Sequence, residues 1–158
     1  MTHLQAVLDL ITEGLHSIPN PPARIVQSPG ALPAWDDCCE GMGYVSVQSV
    51  EASGPNGNCG PALWQITLAV GVLRCAAVLD DSGAAPSPRE ISADAAAAVV
   101  DLHNVAAMLH CLEYQGARAV VQSWTPQGVD GGCHGGQWTA VMRIPACGCL
   151  GTEELAGG

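Results

Sequence analysis

The sequence predicts an α+β fold: a single antiparallel β-sheet packed with two helices, in the order α-β-β-α-β-β. Three observations predict it. Two segments carry apolar residues at helical spacing, four carry them in alternation, and they fall as helix, strand pair, helix, strand pair. With 158 residues and 48% hydrophobic composition, the chain is long enough to bury one core without staples. The expectation is a single domain over residues 1–145, followed by a flexible C-terminal tail over 146–158.

The first helix is read in residues 3–16, where Leu4, Val7, Leu8, Ile11 and Leu15 share a face. Gly14 weakens its end, and the prolines at 19, 21 and 22 stop it. Residues 18–42 are rich in Pro, Asp and Gly and read as an extended surface connector. Residues 43–50 alternate, with Val45 and Val47 on one face and Ser46 and Gln48 on the other, which is a strand. The turn-rich segment 51–61 reads as a hairpin loop. Residues 62–75 form the longest alternation, with Trp64, Ile66, Leu68, Val70 and Val72 on one face. Gly71 inside it is expected to mark a bulge.

A polar loop follows over 80–91. Ser92 is expected to cap the second helix, with Asp94 in its first turn and Gly116 as its stop. Ala95, Val99, Leu102, Val105 or Ala106, Leu109 and Leu112 share a face over 93–114. The many alanines suit a helix lying close to a sheet. Residues 117–125 and 137–144 read as the second strand pair. The segment GVDGGCHGGQW (128–138) falls between them and reads as a glycine-shaped loop.

The balance of 15 acidic against 5 basic residues gives a net charge of −10. Such a chain repels phosphate and is not expected to grip nucleic acid by counterion release. The first 20 residues carry Asp9 and Glu13 and no basic leader, so cytoplasmic synthesis is expected. The apolar run 66–73 is too short to span a bilayer, so no membrane role is expected.

The eight cysteines include no C-x-x-C pair, so the usual zinc-knuckle spacing is missing. Cys133-His134 invites a metal or thiol-base reading, with His103, His110, Cys111, Cys59 and the 147/149 pair as further candidates. A metal needs three or four convergent ligands, and a catalytic thiol needs a positioned base. Neighbours in an extended segment tend to point apart, so neither reading is favoured, and no catalytic or metal-ligating residue is assigned. Hairpin geometry brings Cys75 beside Cys38 or Cys39, and Cys59 and Cys133 both sit in hairpin loops. Cys39 with Cys75, and Cys59 with Cys133, are candidate disulfides if the chain ends outside the cell. The alternative is buried free thiols acting as small hydrophobes. The acidic pairs 36/37, 80/81 and 153/154 form no acid/base couple, and no phosphate-loop, dinucleotide, nucleophile-elbow or zincin motif occurs. No enzymatic activity and no cofactor are expected. Among the tryptophans, Trp64 and Trp138 lie on apolar faces and read as core. Trp35, in the connector, reads as a subunit contact.

CEGMGYVSV (39–47), CGPALWQITLAVGVLRC (59–75) and WTPQGVDGGCHGGQW (124–138) resemble small structural proteins from the head-to-tail connector of long-tailed actinobacteriophages. The order helix, hairpin, helix, hairpin is similar to the tail terminator family of such phages, over roughly residues 1–145. The resemblance implies a virion protein without catalytic residues, made in the host cytoplasm. It would form a homohexameric ring that caps the tail tube and joins it to the neck. Its partners would be copies of itself, the tail tube protein and a head-completion or neck protein, with DNA passing through the lumen without specific binding. A stopper or adaptor of the same connector is the alternative, and a Cys/His metal-binding protein a more distant one. Trp35 and the tip residues Gly131, Gly132, Cys133, His134, Gly135 and Gly136 are then candidate subunit-interface residues.

Overall fold

The computed structural model describes residues 2–29, 37–57 and 60–146. Its elements are α1 (His3–Ser17), β1 (Arg24–Pro29), β2 (Met42–Gly57), β3 (Gly60–Cys75), α2 (Pro88–Cys111), β4 (Glu113–Tyr114), β5 (Ala117–Arg118), β6 (Val120–Asp130) and β7 (Cys133–Pro145). The class is α+β, as the sequence predicts. The main sheet has five strands in the order β1-β2-β3-β7-β6, and β4 and β5 form a small separate hairpin. Trp35, Cys59 and the tail 147–158 lie outside the described residues.

The sheet is mixed rather than purely antiparallel. β1 pairs parallel to β2, with Arg24 opposite Met42 and Ser28 opposite Ser46. The connector read at 18–42 therefore contains an edge strand. The β2–β3, β3–β7 and β7–β6 pairs are antiparallel.

Both helices cover one face of the sheet. α1 starts at Thr2, whose hydroxyl accepts from the Gln5 amide, and buries Val7, Leu8, Ile11 and Leu15. These pack with Val45, Ile66, Leu68, Val70 and Val72 from the sheet and with Val105 and Leu109 from α2. Gly14 is a packing site as well as a weak helix former. A Cβ there would lie 2.7 Å from the Met108 sulfur on α2. On the other face a smaller core holds Cys38, Met42, Tyr44, Leu73 and Cys133.

α2 begins earlier than its alanine run suggests. Ser87 is the cap and Glu90 completes a capping box, with Pro88 in the first turn. Ser92 instead lies inside the helix, its hydroxyl donating to the Pro88 carbonyl. The helix ends at Cys111 with Leu112 as cap, so Gly116 is not its stop. Gln115 and Gly116, at φ 50° and 79°, form the turn of the β4–β5 hairpin.

Gly71 marks no bulge, because β3 pairs with β7 in unbroken register around it. It makes room instead. A Cβ there would meet the Gly136 carbonyl at 2.5 Å and the Tyr44 hydroxyl at 2.6 Å. The Tyr44 ring crosses over it and donates its hydroxyl to Gln137 Oε1 at 3.0 Å.

The segment 128–138 is strand and not loop. β6 runs to Asp130, Gly131 and Gly132 turn at φ 57° and 78°, and β7 starts at Cys133. β7 is an inner strand between β3 and β6. Gly135 and Gly136 are there because neighbours press on them. A Cβ at 135 would strike the Val72 carbonyl, and one at 136 the Trp124 ring.

Candidate functional site

The residues with the most chemistry gather at one end of the sheet, where β3 leaves and β7 begins. Cys75 pairs with Cys133, and Arg74 with His134. Alternation along a strand sends adjacent side chains to opposite faces. It sorts these four residues into two groups, one on each side.

On the helix-covered side, Arg74 forms a bidentate pair with Asp101 of α2, through Nε to Oδ2 at 2.9 Å and Nη2 to Oδ1 at 2.8 Å. Nη2 also donates to the Asn20 carbonyl at 2.7 Å. Their side chains are 12% and 4% exposed, so this ion pair is buried. Two turns earlier on α2, Asp94 accepts from the Ala77 amide at 2.7 Å. The His134 ring, itself buried, lies 3.9 Å from Asp94, beyond hydrogen-bonding distance.

On the other side, two disulfides close over the strand ends. Cys38 bonds to Cys133, 95 residues away, and Cys39 bonds to Cys75, 36 residues away. Cys39 with Cys75 is one of the pairs the hairpin geometry brings together. The other expected pair is corrected: the partner of Cys133 is Cys38, which the crossing segment 37–40 lays against the strand end, so Cys59 is not its partner. Asp37 helps to shape that crossing, since its carboxylate accepts from the Cys39 amide at 3.0 Å.

The metal and thiol-base readings of Cys133-His134 have no geometry behind them. The two side chains leave the strand on opposite faces, and the thiol is already bonded. With the sulfurs paired in this way, no group of three or more histidine, cysteine or carboxylate side chains among the described residues is placed to hold a metal ion. Cys111 is free and exposed. His103 and His110 lie on α2, where they are two helical turns apart.

Four of the six tip residues expected to touch another subunit lie inside the chain instead. Cys133, His134, Gly135 and Gly136 are buried within the chain, where β7 is paired on both edges. Of these residues Gly131 is exposed and Gly132 partly so, next to the exposed end of β6 at 128–130. Trp64 and Trp138 pack on the main core as expected. The Trp138 indole donates to the Leu102 carbonyl at 2.8 Å and meets Trp124 edge-on at 5.7 Å between ring centroids.

Exposed apolar surface gathers elsewhere. Val78, Leu79, Ile91, Val99 and Val100 are each 51–63% exposed on α2 or the approach to it, and Val120 and Val129 on β6 are exposed to a similar degree. The sequence places Val99 on the core face, but the buried residues of α2 are Asp101, Val105 and Leu109. The first half of the helix therefore covers little of the sheet. An open groove of about 580 Å³ lies between the helices, lined mainly by Leu10, Gly14, Ile18, Ala107, Met108 and Leu112. Among the described residues, no helix is long and apolar enough to cross a membrane. Compared with known proteins, the chain matches no family model and no curated sequence.

Proposed function

We propose that the chain is a non-enzymatic structural subunit of a phage head-to-tail connector, working as a tail terminator. In this reading it assembles with copies of itself into a sixfold ring that caps the tail tube and meets a head-completion or neck protein. The observation that carries the reading is the concentration of exposed apolar residues on 78–100. Large apolar side chains left in water on α2 and the segment leading into it suit a surface built for a protein neighbour. The element order is compatible with the family: α1 precedes the β2–β3 hairpin and α2 the β6–β7 hairpin on one sheet, with β1 added at its edge and the separate β4–β5 hairpin after α2. A net charge of −10 suits a ring through which DNA slides without being held. Two disulfides suit a particle that leaves a reducing cytoplasm and persists outside it.

Negative-stain microscopy and light scattering of the purified chain test the proposal. Sixfold rings that bind isolated tail tubes are expected. Twelvefold rings that bind a portal would replace the terminator by an adaptor or stopper. A monomer at high concentration that binds neither would overturn the connector reading.

A further inference from the structure

The two disulfides sit in different surroundings, and their chemistry should differ accordingly. Cys38 and Cys133 are 2% and 3% exposed and pack with Met42, Tyr44 and Leu73. Cys39 and Cys75 are both exposed. Thiol–disulfide exchange needs a thiolate to reach a sulfur along the S–S axis, so access decides which bond reacts first. We propose that Cys39–Cys75 is a thiol–disulfide exchange site for a small dithiol, and that Cys38–Cys133 is a protected bridge that holds the fold while the first one opens and closes.

A thiolate of the dithiol attacks the Cys75 sulfur, the bond to Cys39 breaks, and Cys39 leaves as a thiolate that takes a proton. The second thiol of the reductant then loses its proton and attacks its own sulfur in the mixed disulfide. Cys75 is released as a thiolate and protonated. The chain gains two electrons and two protons, and the dithiol becomes a cyclic disulfide. Opening this bond costs the fold little tethering, because the next residue, Cys38, remains bonded to Cys133. The buried site is suited to its thiol form as well. The Cys38 sulfur lies 3.4 Å from the Arg74 carbonyl and 3.9 Å from the Gly132 carbonyl, either of which can accept from an S–H. Deeper reduction would therefore leave a buried thiol with a partner, in keeping with a reversible cluster.

Limiting dithiothreitol added to the folded, full-length chain, followed by alkylation and peptide mass spectrometry, tests this. Cys111 labels from the start and serves as the internal standard. Cys39 and Cys75 should then label together, at least about tenfold faster than Cys38 and Cys133, because a protected bridge reacts only from an opened state. Near-UV circular dichroism should be retained after that first step. A Cys39→Ser/Cys75→Ser variant should fold and lose the fast phase. Labelling of all four together, labelling of Cys38 and Cys133 first, or a scrambled Cys75–Cys133 bond would overturn the proposal. So would one zinc per chain in freshly purified protein with all four cysteines as thiols.

Discussion

Replacing Asp101 by alanine should be among the most damaging single changes in the chain. The carboxylate is held by both Nε and Nη2 of Arg74, and the two side chains are only 4% and 12% exposed. Without Asp101 the guanidinium stays buried, and the Asn20 carbonyl, a neutral acceptor, cannot offset its charge. The guanidinium occupies the space beside Gly41, where a Cβ would come within 2.7 Å of Nη1. Removing one partner of a buried pair costs about 3–5 kcal/mol, because a charge is left in a poorly solvated site. For a domain of this size each kcal/mol lowers the melting temperature by about 2–4 °C, so the drop should be about 6–20 °C. Urea unfolding under non-reducing conditions measures it, with both disulfides intact in each variant. Converting the pair to Arg74→Met/Asp101→Leu should recover most of the loss, since apolar residues of similar size often replace a buried pair without penalty. A loss below about 1 kcal/mol for Asp101→Ala, or a double variant as unstable as the single, would refute the claim that an orphaned charge sets the cost.

Gly71→Ala should destabilise by about 1–3 kcal/mol, because the new methyl meets the Tyr44 hydroxyl and a backbone carbonyl at once; an unchanged denaturation midpoint would sink this account of the glycine. Ser87→Ala should cost about 1 kcal/mol and loosen the first turn of α2, read as faster amide exchange at residues 89–91. Stability should decline as the pH falls below about 4. Asp9 is held low by hydrogen bonds from Gln27 and Gln5, Asp80 chiefly by Ser82, and Glu90 by Ser87. Each is lowered in the folded state, so its contribution is present above the ordinary carboxylate range and is lost as protons bind through the lowered value. Burial raises the Tyr44 phenol, so its contribution is full below about pH 10 and is lost as the pH rises further. Tyr44→Phe should flatten that alkaline limb in a pH series of melting temperatures, at a cost of about 1 kcal/mol near neutrality for the lost bond to Gln137.

The parts of the fold legible in the sequence are those whose signal is local. The stripe of Val7, Leu8, Ile11 and Leu15 sets α1, and the alternation from Trp64 to Val72 sets β3 with the correct face inward. The illegible parts depend on distant neighbours. Residues 24–29 carry no strong alternation, and their place in the sheet comes from parallel pairing with β2, which leaves no turn signal between them. The glycines at 135 and 136 lower strand propensity and so read as loop. Their absent side chains are what let β7 fit beneath Trp124 and beside Val72. The start of α2 is legible, since Ser87-Pro88-Arg89-Glu90 spells a capping box with proline in the first turn. The alanine run after Ser92 draws the expected boundary too far along the chain. For the site, the hairpin register places Cys75 beside the Cys38-Cys39 step, but nothing local says that Cys133 reaches the same place. That depends on β7 pairing with β3 in a register that sets Cys133 opposite Cys75.

The adjacency that first suggests an active site, Cys133 next to His134, has the opposite meaning once both are on a strand. The same alternation that parts them also parts Arg74 from Cys75 on the facing strand. Each face of the sheet end thus receives one residue from each strand. The helix side receives Arg74 and His134, and α2 pairs Asp101 with the first and sets Asp94 3.9 Å from the second. The other side receives Cys75 and Cys133, and the crossing segment offers Cys39 and Cys38. α2 is thereby anchored to the sheet by an ion pair through its middle while its first half, with Ile91, Val99 and Val100, stays uncovered. An anchored helix that leaves apolar residues in water presents a contact surface already in place, and association then costs less ordering entropy than it would for a loose segment. Under the proposed function this would link the clamp at the sheet end to assembly: the clamp fixes the helix, and its exposed apolar residues would face a neighbouring subunit.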